Sequence, residues 1–145
     1  MTGPAWRRNG RLRLEGVHVL VVDDDSAVRE VVTALLVLSG ARVTAVGSAE
    51  EALVAVQEES PDVLLSDLTM PGKGGYWLIE QVRALPPERG GITPAAALTA
   101  HSGPESTARV LGAGFQVHVE KPIGLGAVIA TVAQLAPQRS SVELG

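Results

Sequence analysis

The sequence contains no cysteine. That excludes disulfides, thiolate metal sites and a cysteine nucleophile, and it suits a reducing cytoplasm. Aromatic residues make up 3% of the chain, so any core must be built from aliphatic side chains. No apolar run approaches the roughly 20 residues that a membrane span needs. Arg7, Arg8, Arg11 and Arg13 look like the basic start of an export signal. The apolar stretch after them, Val17 to Val22, is too short for one and runs straight into three aspartates. These arginines are therefore read as a solvated leader rather than a signal or a nucleic-acid arm. Charge of one sign is also scarce. Sixteen acidic residues against 12 Lys plus Arg leave a net charge of −4, without the basic face of a nucleic-acid binder. With 145 residues, the chain suffices for one domain with a real core.

What is present is an alternation of short apolar runs and helical periods. Residues 1–15 are expected to form a flexible leader, 16–137 a domain and 138–145 a frayed tail. The run Val17 to Val22 is β-branched and apolar, a strand buried on both faces. Ser26 or Asp25 then caps a helix whose apolar residues recur at helical spacing until Gly40. Ala41 to Val46 is a second strand. Ser48 and Glu51 form a capping box for a helix that ends at Ser60-Pro61. A third strand, Asp62 to Ser66, leads into Met70-Pro71-Gly72 and a helix over 76–85. Pro94 to Leu98 is taken as strand four from its position, against the helix propensity of its alanines. A helix over 104–111, a strand over 115–119 and a helix over 125–135 complete the pattern. Five strands strictly alternating with five helices predict an α/β fold, a doubly wound parallel five-stranded sheet.

The chemistry collects at the carboxyl ends of the expected strands. Strand one ends in Asp23-Asp24-Asp25 and strand three reaches Asp67. Strand four ends at Thr99, and Lys121 follows strand five. If the sheet reverses direction at strand one, Asp23, Asp24 and Asp67 converge across the crevice where open sheets bind ligands. Clustered carboxylates repel one another unless a cation neutralises them. An oxygen-only donor set favours a hard ion, Mg²⁺ (or Mn²⁺). The Thr99 hydroxyl and the Lys121 ammonium suit phosphate oxygens. A carboxylate in such a place can act as a nucleophile toward phosphorus.

Val19 to Asp25, Ser66-Asp67-Leu68-Thr69-Met70-Pro71-Gly72, Leu98-Thr99-Ala100 and Lys121-Pro122-Ile123 together resemble the response-regulator receiver domain, over about residues 17–136. The resemblance implies strand order 2-1-3-4-5. It implies that Asp67 accepts a phosphoryl group from a sensor histidine kinase or a histidine phosphotransfer protein. It also implies that Asp24 ligates the cation, with Asp23 close by and the Thr69 carbonyl as a further ligand. Thr99 would move to the phosphoryl group, Lys121 would pair with it, and the Lys121-Pro122 bond would be cis. The partner downstream would be a target protein or a second relay step, met through residues 104–136, which can also serve a homodimer. Such a domain catalyses only its own phosphorylation and slow dephosphorylation.

Two positions, His118 and Gly74, depart from that pattern. His118 stands where the family carries the aromatic switch residue, and it can titrate near neutrality. Gly74 replaces a frequent Asp, which should alter loop flexibility. The resemblance also implies that Thr69 and His101, each two residues beyond a site residue, flank the path of the hydrolytic water and tune the lifetime of the phosphorylated state. His18, alone in strand one, is a packed strand residue rather than a ligand, and Trp77 is partly buried rather than a recognition group. The loop 86–91 resembles receivers fused to hybrid kinases, whereas Met1 and the leader argue for a small complete protein. The rival readings are a phosphate-independent pseudo-receiver that serves as a binding module, and a hydrolase with an Asp nucleophile. The hydrolase would need a second Asp where Thr69 stands.

Overall fold

A computed structural model describes residues 14–100, 103–121 and 124–137, apart from the side chain of Leu125, and the backbone of residues 7–8 and 11–12. Five strands form one parallel sheet: β1 (His18–Val22), β2 (Arg42–Val46), β3 (Val63–Asp67), β4 (Ala95–Thr99) and β5 (Val117–Glu120). They lie in the order β2-β1-β3-β4-β5, the expected 2-1-3-4-5. The helices between them are α1 (Ser26–Leu38), α2 (Ala49–Glu59), α3 (Gly75–Arg83), α4 (Pro104–Ala113) and α5 (Leu125–Leu135). None of the described helices is long and apolar enough to cross a membrane.

Alternation along the central strands divides the core in two. Leu20, Val22, Leu64, Ala95 and Ala97 face Val56 of α2, Leu78 and Ile79 of α3 and Val110 of α4. Val19, Val21, Val63, Leu65 and Ala96 face Leu36 of α1 and Val132 of α5. The alanines of β4 are extended despite their helix propensity because their strand is covered on both faces. Burial and pairing there outweigh a few tenths of a kcal/mol per residue of local preference. Both predicted caps are present. Asp25, rather than Ser26, caps α1 by accepting the Ala27 and Val28 N–H groups. Ser48 Oγ accepts the Glu51 N–H and donates to Glu51 Oε1 at 2.9 Å.

Two stretches differ from the sequence expectation. Phe115, expected to begin strand five, lies ahead of β5 and is buried. Helix α4 runs on to Ala113, and the turn at Gly114 (φ 125°) must finish before pairing resumes. Leu14, assigned to the leader, is 1% exposed. It packs in the α1/α5 half of the core, and its N–H donates to Ser39 O. Packed chain therefore begins by Leu14, and residues Arg7–Arg8 pair antiparallel with Arg11–Leu12 ahead of it.

His18 is 6% exposed at the sheet end opposite the carboxylates. Arg42 Nη2 lies 2.9 Å from its Nδ1. A guanidinium can only donate, so Nδ1 accepts and Nε2 carries the ring proton. Nε2 donates to Thr44 Oγ1 at 2.9 Å, and that hydroxyl donates to Glu59 Oε1 at 2.7 Å. Burial and then Arg42 lower the His18 pKa, while Glu59 and Asp62 oppose them. The folded state thus prefers the neutral ring. Its contribution to stability is complete above the ordinary histidine value and is lost as pH falls from there toward the depressed folded value. Denaturant melts should show wild type losing stability between pH 7 and 5 relative to a His18→Gln variant, about pH 6.5 being the ordinary midpoint. Parallel pH profiles would show that the ring is not the sensor.

Candidate functional site

Strands β1 and β3 are parallel neighbours with Val22 opposite Ser66. The next residues, Asp23 and Asp67, therefore stand side by side at one sheet edge. Carboxylate oxygens of Asp23, Asp24 and Asp67 lie within 4.8 Å of one another. Asp25 is diverted, because its carboxylate is committed to the α1 cap. Its backbone N–H instead donates to Asp23 Oδ1 at 2.9 Å. Asp24 is exposed, whereas Asp23 and Asp67 are 1% and 7% exposed.

Lys121 reaches this cluster from the end of β5. Its Nζ lies 3.3 Å from Asp23 Oδ2 and 3.3 Å from Asp67 Oδ1. The position is set by backbone, since Lys121 N–H donates to Thr99 O at 2.7 Å. Burial, and next the Asp23 charge, raise the Asp67 pKa above the ordinary carboxylate value; Lys121 and the Thr69 N–H pull the other way. For Lys121, burial favours the neutral amine, but Asp67 and Asp23 outweigh it and leave the pKa raised. The ammonium therefore stays charged at neutral pH.

Three close carboxylates facing one ammonium leave an excess of negative charge in a partly desolvated place. Such an oxygen-only set with no imidazole or thiolate fits a hard divalent cation. Asp67, Asp23, Asp24 and Lys121 are thus brought together as the sequence predicted. Thr99 is at the end of β4, beside the strand that carries Asp67. It is 2% exposed and lines, with Leu68, Thr69, Tyr76, Ser106, Arg109 and Val110, a cavity of about 400 Å³.

His118 is not part of that lining. Its Nδ1 lies 3.0 Å from Thr107 Oγ1 on α4, while the Thr107 hydroxyl is also 3.1 Å from Gly103 O. With the hydroxyl proton given to that carbonyl, His118 Nδ1 is the donor. His101 and Pro122 lie outside the described residues. Gly74 answers a different need from the flexibility expected of it, because a Cβ there would lie 2.6 Å from Leu68 O.

Some contributors carried no sequence signal. Arg29 Nη1 donates to Asp23 O at 2.6 Å and fixes the chain at the carboxylate turn. At its place in α1 it reads as an ordinary solvated arginine. Lys73, in the loop after β3, lies 3.6 Å from Glu50 Oε2 and 5.2 Å from the centre of the half-buried Trp77 ring. The second aromatic contact, Arg109 at 4.4 Å over Tyr76, needs α3 and α4 to be adjacent.

Comparison with known proteins agrees with this geometry. The response regulator receiver domain model matches residues 19–133. An uncharacterized 14.6 kDa protein of Leptolyngbya boryana is 40% identical over 110 residues, covering 76% of this chain and 82% of that protein. The sensory/regulatory protein RpfC of Xanthomonas campestris is 34% identical over 126 residues. That match takes in 87% of this chain but 17% of the relative. The solved structure of the chemotaxis response regulator CheY4 of Vibrio cholerae superposes with a TM-score of 0.76 at 28% identity. It covers 82% of this chain and 98% of that one.

Proposed function

The chain belongs to the response regulator receiver domain family, and from that premise we propose that Asp67 is its phosphoryl acceptor. The observation that supports this is the buried Asp67 carboxylate, set among two further carboxylates and the Lys121 ammonium at one sheet edge. The donor is a phosphohistidine of a sensor histidine kinase or a histidine phosphotransfer protein. An Asp67 oxygen attacks phosphorus, the P–O bond forms, and the P–N bond breaks with its electron pair left on the imidazole nitrogen. Asp24, Asp67 and the Thr69 carbonyl would hold Mg²⁺ (or Mn²⁺), with Asp23 alongside. When bound, the cation neutralises the charge that otherwise repels an incoming phosphoryl group. Lys121 pairs with a phosphoryl oxygen, and the Thr99 hydroxyl donates to another. His101 is assigned a part in the lifetime of the adduct.

The chain turns over no separate substrate; it accepts the group and slowly hydrolyses it. The modified state presents a changed surface over residues 104–136 to a target protein, a second relay protein or a second copy. Intact mass after incubation with phosphoramidate tests the assignment. Wild type should gain one phosphoryl group in Mg²⁺ and none in EDTA, and Asp67→Asn should gain none. An adduct surviving in Asp67→Asn would move the acceptor elsewhere. No adduct on wild type from either phosphoramidate or a kinase would leave the phosphate-independent binding module.

A further inference from the structure

We propose that Arg109 and Tyr76 carry the phosphorylation signal from Asp67 to α4, with the Arg109 guanidinium leaving the tyrosine ring for the cavity beside Thr99. The inference rests on the reading of Asp67 as acceptor and adds a route out of that site.

The cavity has two kinds of wall. Leu68, Thr69 and Thr99 belong to the ends of β3 and β4 next to Asp67. Ser106, Arg109 and Val110 belong to α4, and Tyr76 comes from the start of α3. At about 400 Å³, the space admits a side chain or several waters. The ring of residue 118 does not line the space and bonds Thr107 on α4 instead. Among the described residues, the aromatic ring and the cation that already border the space can answer a change at Thr99.

Charge decides the direction. Phosphorylation replaces the single carboxylate charge of Asp67 with about two negative charges on three acceptor oxygens, a net gain of about one. Lys121 is already shared between Asp23 and Asp67, so it cannot balance that increment alone. Among the described residues, Arg109 is the cation on the cavity wall, exposed, with its guanidinium 4.4 Å from the centre of the Tyr76 ring. An exposed guanidinium over a half-buried ring is held weakly. A guanidinium facing phosphoryl oxygens gains charge-assisted, forked hydrogen bonds. The new negative charge therefore outcompetes the ring. Because Arg109 is anchored in α4 one residue before the buried Val110, its inward swing pulls on that helix. The Tyr76 face is then uncovered at the α3/α4 surface.

The test uses the full chain with Mg²⁺ and phosphoramidate, followed by intact mass and by amide chemical shifts before and after modification. Wild type, Arg109→Gln, Arg109→Lys and Tyr76→Leu should all carry the adduct. In wild type the shifts should extend through residues 104–113. In Arg109→Gln they should remain around residues 67–69 and 99 and be largely lost from α4. Arg109→Lys, which keeps the charge, should restore part of the α4 response, and Tyr76→Leu should show α4 shifts in the unmodified state. Wild-type α4 shifts in phosphorylated Arg109→Gln would overturn the inference while leaving the acceptor in place. No adduct on wild type would overturn both.

Discussion

Lys121→Met will take up a phosphoryl group at Asp67 at least ~100-fold more slowly than wild type, the scale on which a preorganised charge donor acts. Methionine keeps the length and apolar stem of lysine and removes the ammonium alone. In wild type that ammonium stands 3.3 Å from both Asp23 Oδ2 and Asp67 Oδ1. Without it the two buried carboxylates face each other with no cation from the protein, and an approaching phosphoryl group adds to the repulsion. The Asp67 pKa, already raised by burial and Asp23, rises further. Divalent cation can offset part of this, so the rate should be read by mass spectrometry at saturating Mg²⁺ and fixed phosphoramidate. A variant that labels as fast as wild type would remove Lys121 from the phosphoryl site.

Gly75→Ala will strongly destabilise the fold at the acceptor strand. A Cβ at Gly75 would lie 2.5 Å from Asp67 O and 2.9 Å from Leu68 Cα. Both are backbone atoms of the strand end, already tied by the Gly75 N–H to Leu68 O and by Ser66 Oγ to Asp67 O. Neither can yield without moving α3 or the acceptor itself. Overpacking against backbone at this scale costs about 3 kcal/mol. For a chain of this size that lowers Tm by about 10 °C. Gly112→Ala in α4 is the control, because nothing lies within 4 Å of its added Cβ. There the lost backbone freedom of the unfolded chain should raise stability by about 0.5 kcal/mol. Thermal melts of the two variants give both signs, and equal shifts would refute the steric argument.

These cases mark what could be read in advance. The apolar runs ending in Asp23, Asp67 and Thr99 sufficed for strand type and for the shared edge, because burial and alternation are written into residue order. Asp67, Asp23, Asp24 and Lys121 were legible for the same reason. What escaped depends on contacts between distant segments. Leu14 sits among arginines and shows no period, yet the groove between α1 and α5 accepts it. Gly74 suggests flexibility until Leu68 O is seen 2.6 Å from its absent Cβ. Arg29 and Arg109 have the spacing of solvated helix residues, and their partners are a backbone carbonyl and a ring on other elements. Phe115 was placed one element too late, because apolar character alone does not distinguish a buried turn from a strand start.

The place of Lys121 ties the site to a short edge strand of the sheet. Among the described strands, β5 pairs with β4 alone and is four residues long. Such edges open locally far more often than the whole domain unfolds. Each opening of β5 carries Lys121 away from Asp23 and Asp67, so site integrity follows the fraying equilibrium of one strand rather than global stability. The coupling is reciprocal. Any group that holds Lys121 against the carboxylates also keeps β5 closed, and amide exchange along Val117–Glu120 slows in proportion.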